Sequence, residues 1–130
     1  MRYGSVLRVG AHAERVRSDF HAFTVNTPIA MHQMYFSLIA EFVGTFLFLT
    51  AIFNYPKSPL IIGAALIAVL FLTVRIAGSA GHVNPAVSAS LVYSGAVSGR
   101  EGLLFVLAQV GGALLAYEAF LRVPIKSLLL

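Results

Sequence analysis

Ser79-Ala80-Gly81-His82-Val83-Asn84-Pro85-Ala86-Val87-Ser88 lies between two strongly apolar segments and has the chemistry of a helix start. Asn84 is a good N-cap, because its side-chain oxygen accepts from backbone N–H groups two or three residues on. Pro85 falls at the first helical position, where its missing N–H costs nothing and its fixed φ suits the turn. The pattern predicts a short helix over about 84–94, ended by Ser94-Gly95. Eight or nine residues at ~1.5 Å each give roughly 13 Å, against a hydrocarbon core of about 30 Å. That is half a membrane and not a whole one.

The composition sets the surroundings of this stretch. In 130 residues there is room for one domain, with 58% apolar and 11% charged residues and a mean hydropathy of +0.86. A soluble domain carries about a quarter charged residues, so the chain reads as an all-α membrane protein. It has no cysteine, which excludes a disulfide framework and a thiolate metal site. The net charge of +4 comes largely from arginines near the N-terminus. Aromatic and basic residues are not interleaved as in RNA-binding folds, so nucleic acid is not an expected partner.

Residues 1–33 read as a polar, basic, poorly ordered cytoplasmic tail, with Arg2, Arg8, Arg15 and Arg17 outnumbering Glu14 and Asp19. No long apolar run is present there, so it is not a secretory signal peptide. A mitochondrial transit peptide is the alternative, weakened by the two acids and the thin serine content; Met31 or Met34 is an alternative start. Apolar segments follow at about 34–53, 60–77 and 103–121, each read as a membrane span. Asn54-Tyr55-Pro56-Lys57-Ser58-Pro59 and Ser98-Gly99-Arg100-Glu101-Gly102 read as polar turns, and 123–130 as a C-terminal tail. Gly63, Ala64 and Ala65, and again Gly111, Gly112 and Ala113, offer small faces for close helix packing.

Polar residues inside these segments are the candidate sites. Glu41 is the exception in the first span, and an intramembrane carboxylate is a site hypothesis by default. Gln109 in the third needs a hydrogen-bond partner. Arg75 sits where a long side chain can reach headgroups. His12, His21 and His32 belong in or beside the tail, whereas His82 is in the loop. The basic residues also set an orientation: the N-terminal arginines, Arg75 and Arg100 share one side, and Lys57, Arg122 and Lys126 the other. The positive-inside rule then puts the N-terminus in the cytoplasm.

Gly81-His82-Val83-Asn84-Pro85-Ala86-Val87-Ser88 resembles the signature of the aquaporin and glycerol-facilitator (major intrinsic protein) family. Ala40-Glu41-Phe42-Val43-Gly44-Thr45-Phe46-Leu47 resembles that family's first helix, and Ala108-Gln109-Val110-Gly111-Gly112-Ala113 its third. The resemblance runs over roughly Met34 to Phe120 and covers the N-terminal half only. It implies three transmembrane helices plus one re-entrant Asn-Pro-Ala half-helix, half of an aquaporin-like fold occupying 34–122. The pore residues it implies are Asn84, Pro85 and Ala86, with Gly81, His82 and Val83 leading in. Glu41 would accept hydrogen bonds from loop groups, with proton relay or a carboxylate reaching water as its alternatives. Gln109 would brace the loop, a generic interhelical hydrogen bond being its alternative.

The implied role is passive passage of water or small uncharged solutes such as glycerol. Loop carbonyls around Gly78 to Val83 would offer acceptors, Asn84 a donor, and the helix end a field opposing cations. No nucleophile, acid–base pair, metal cluster or cofactor motif accompanies these residues, so the chain is not read as an enzyme. Two departures stand out. The second Asn-Pro-Ala loop and its filter arginine have no counterpart in these residues, so one chain does not make a whole pore. The position of a filter aromatic falls at Ala64, where a small residue would widen the path. The expected partners are the lipid bilayer and either further copies of the chain or a second-half or full-length relative. The competing expectation is a truncated or split fragment without transport of its own, acting as a structural membrane protein.

Overall fold

The computed structural model describes residues 14, 15, 18, 31–76, 79 and 81–123. Among the described residues the regular structure is entirely helical. It comprises α1 (Met31–Asn54), α2 (Pro59–Phe71) running into a π-helical turn (Leu72–Ile76), α3 (Pro85–Tyr93) and α4 (Gly99–Arg122). Two of these, His32–Asn54 and Gly99–Arg122, are long and apolar enough to cross a membrane. The expected span over 60–77 is shorter as an α-helix, at 13 residues before the π turn.

Local chemistry sets the boundaries. α1 begins at Met31, inside the stretch read as tail, and its first turn carries a His32–Phe36 ring contact at 4.7 Å. It stops at Asn54, since Pro56 cannot continue a helix and disfavours the helical conformation of the residue before it. Ser58 then caps α2 by accepting from the Ile61 N–H, with Pro59 opening the helix. α4 starts four residues before the expected 103, because the supposed turn is its first turn. Ser98 Oγ accepts from the Glu101 N–H while the Glu101 carboxylate accepts from the Ser98 N–H, a reciprocal capping box. At the end of α3, Gly95 takes φ +80° and the Ala96 N–H reaches back to the Leu91 carbonyl at 2.9 Å.

α1 and α4 form the main contact of the fold. They run parallel: Gln109 meets Glu41, Gly112 meets Phe42, and Tyr117 and Phe120 stack near Phe53 with centroids 5.4 and 5.8 Å away. Gly112 makes this approach possible, since a Cβ there would fall on the Phe42 carbonyl oxygen. α2 joins through Val69, and the π turn through Thr73, both closing on Gly44. Of the small face expected to pack from α2, Gly63 meets no neighbour among the described residues: nothing lies within 4 Å of a Cβ built there.

The interior is the reverse of a water-soluble core. Among the described residues the buried side chains are Ser37, Glu41, Thr45, Asn54, Thr73, Ser79, His82, Ser88 and Gln109 beside the apolar Ala40, Val69, Val83, Phe105 and Ala116. Meanwhile Leu60, Ile67, Leu107 and Leu114 are among many large apolar side chains exposed on the outside. A soluble monomer rarely exposes so many large apolar side chains around so polar an interior.

Candidate functional site

Glu41 occupies the centre of the polar interior, with none of its surface exposed. It lies on α1 one turn before Gly44, whose missing side chain lets Thr73, Val69 and Val83 close in. The chain leaving the π turn is thereby brought against the carboxylate, and the Ser79 N–H is held by the Thr73 carbonyl at 2.9 Å. Four donors converge on the two carboxylate oxygens. Oε1 accepts from Ser79 Oγ and from the His82 backbone N–H, both at 2.9 Å. Oε2 accepts from the Val83 N–H at 2.6 Å and from Gln109 Nε2 at 2.9 Å. Charge-assisted bonds of this kind are shorter and roughly twice as strong as neutral ones, and four of them offset the desolvation of one buried charge.

The irregular segment pays for its path in backbone strain, and the carboxylate opposes that strain. Gly81 takes φ +65°, a region it enters freely. Val83 takes φ +49°, where a β-branched residue is an outlier costing ~1–2 kcal/mol. Its N–H makes the shortest of the four bonds, and the residue is buried at 3% exposure. The strained residue is therefore the one most tightly held.

Val83 delivers Asn84, whose Oδ1 accepts from the Ala86 N–H at 2.9 Å and caps the nine-residue α3. Asn84, Pro85 and Ala86 are all exposed on the surface of the chain, while Ser88 one turn on is fully buried. Ser88 joins the cluster from the other side: its Oγ lies 2.9 Å from His82 Nδ1 and 2.9 Å from Gln109 Nε2. The His82 ring meets Phe105 edge-on, with centroids 5.1 Å apart. One network thus ties α1, Ser79 and residues 82 and 83, α3 and α4 together.

The residues singled out in the sequence fall into two groups. Glu41, His82, Val83 and Gln109 share the network, and Gly81 and Asn84–Ala86 are joined to it along the chain. Ala64 stands apart, exposed on α2 and outside the hydrogen-bonded cluster. Gly78 and Ala80, two of the expected carbonyl positions, lie outside the described residues, as do Arg2, Arg8, His12, Arg17, His21 and Lys126. Glu118 pairs with Arg122 at 2.9 Å on the exposed end of α4. Three participants escaped the sequence reading: Ser79, Ser88 and Phe105. The available signal for Ser88 was a hydroxyl four residues after the cap, on what becomes the inner face of a short helix.

No family model matches the chain, and no match emerged among curated proteins or solved structures.

Proposed function

We propose that the chain is a subunit of an aquaporin-like membrane channel for passive transport of water or small uncharged solutes such as glycerol. In this reading α1, the run Pro59–Ile76 and α4 all span the bilayer, α3 dips half-way, and the N-terminus is cytoplasmic. The observation that carries it is the Glu41 clamp, which holds Ser79, His82 and Val83 so that Asn84 opens α3 at an exposed position. Irregular backbone at membrane depth is tolerated where it is buried in protein or lines water. The inner side of this segment is buried on Glu41; the outer side, with Asn84 to Ala86, is open. A conduit along that open side, closed by a second copy or a second-half partner, satisfies both conditions. A helix N-terminus aimed into it opposes cation passage.

A second reading rests on the single Asn-Pro-Ala in the sequence: the chain is one piece of a split channel, silent alone and active only beside its complement. Stopped-flow light scattering on proteoliposomes, with water and then glycerol as permeant, separates the two. The channel reading expects permeability above empty vesicles, and its loss with Asn84→Ala. Permeability that rises only after co-reconstitution with a full-length or second-half relative favours the split reading. No rise in either preparation refutes both.

A further inference from the structure

The hydrogen-bond directions in the buried network are determined by counting protons outward from Glu41. An ionised carboxylate only accepts, so the Gln109 amide must turn its NH2 group toward Oε2, where Nε2 lies at 2.9 Å. The second Nε2 proton then points to Ser88 Oγ, also at 2.9 Å. Ser88 has one proton of its own and two neighbours to receive it. Gln109 Oε1 is 3.3 Å away and belongs to the amide that already donates to Ser88. His82 Nδ1 is closer, at 2.9 Å, and lies on a different residue. Neutral–neutral O–H bonds prefer the shorter distance and the straighter path.

We infer that Ser88 is a positioning residue that donates its hydroxyl proton to His82 Nδ1 and thereby holds the ring as the neutral Nε2–H tautomer. Direction passes along a chain of three bonds, from the Glu41 carboxylate through the Gln109 amide and the Ser88 hydroxyl to the imidazole. The carboxylate therefore orients the ring without touching it, while accepting from the backbone N–H of the same residue. Phe105 stands edge-on to the ring and limits its rotation. The consequence for the channel reading, on which only this clause rests, is an uncharged ring with a fixed donor beside the segment that leads to Asn84. The competing arrangement has Nδ1–H donating to Ser88 and Ser88 donating to Gln109 Oε1.

Nitrogen-15 spectra of full-length, histidine-labelled protein in liposomes at neutral pH distinguish the two arrangements. Subtraction of a His82→Gln spectrum assigns the ring. The expected result is an unprotonated Nδ1 and a protonated Nε2 in the native protein. Ser88→Ala is expected to give mixed tautomers, and Ser88→Thr, which keeps the hydroxyl, to restore the native spectrum. A protonated Nδ1 in the native protein overturns the inference, as do His82 signals unmoved by Ser88→Ala in a variant whose helical circular dichroism is native. The tautomer is read without any permeability measurement, so this inference and the channel reading fail separately.

Discussion

Replacing Glu41 by Gln keeps the shape of the side chain and removes its charge, which makes it the sharpest probe of the clamp. Glutamine offers one acceptor oxygen where glutamate offers two. Its better orientation puts the oxygen on the Val83 and Gln109 donors and the NH2 toward Ser79 Oγ, whose hydroxyl can turn to accept. The His82 backbone N–H is then left facing a donor. One buried orphan N–H costs ~1–3 kcal/mol, and three surviving bonds drop from charged to neutral strength at roughly 1 kcal/mol each. Relief of several kcal/mol of charge desolvation offsets part of this. The net expectation is a loss of about 2 kcal/mol for Glu41→Gln. Glu41→Ala orphans all four donors and is expected to lose about 4 kcal/mol or more, a large share of a total stability of ~5–15 kcal/mol. Denaturant titration of the purified protein in detergent, followed by circular dichroism, gives both values. If Gln costs less than ~0.5 kcal/mol, or if Ala costs no more than Gln, the hydrogen-bond arithmetic is wrong.

Other expectations use the same titration. Gly112→Ala should destabilise by ~1–3 kcal/mol, because its Cβ meets Phe42 backbone that cannot step aside. Gly63→Ala, with open space around it in mid-helix, should be neutral or stabilise by up to about 1 kcal/mol. An equal effect at the two glycines would contradict the packing described for α1 and α4. Thr45 has a buried hydroxyl with no partner among the described residues, so Thr45→Val should match or exceed native stability; a loss above ~1 kcal/mol would mean that the hydroxyl is bonded. Ser98→Ala removes the capping box of α4 and should cost ~1 kcal/mol, with exchange of the Glu101 amide hydrogen speeding up.

Much of this arrangement was legible because it depends on residues whose physics is local. Asn84-Pro85 announces a helix start by capping chemistry alone, and α3 begins there. Pro56 and Ser94-Gly95 end helices for equally local reasons. Glu41 and Gln109 stand out as polar residues in apolar runs, which identifies each as needing a partner but not which partner, since they are 68 residues apart in the chain. Ser98 to Gly102 misled for the opposite reason: a polar cluster with two glycines scores as a turn, while the Ser–Glu reciprocity that makes it a helix start operates at a spacing of three. Ser88 was opaque, because a hydroxyl in a helix satisfies itself on its own backbone unless tertiary contacts intervene. The small face of α2 was visible in the sequence, but among the described residues nothing packs on its Gly63.

The wide turn at Leu72–Ile76 carries a consequence for how the gene for this chain can vary. A π-helical turn holds one residue more than an α-helical turn, so a single-codon deletion there could be absorbed as ordinary α-helix. Residues C-terminal to a deletion absorbed in this way would keep their orientation about the helix axis, whereas a deletion in the α-helix before it would rotate them by about 100°. A deletion within α2 would therefore carry Thr73 off Gly44 and swing the hydroxyl of Ser79 off the carboxylate it reaches now. The π turn is thus the place where this helix can lose one amino acid in frame and keep its downstream register, whereas the same loss from the α-helix before it breaks the clamp.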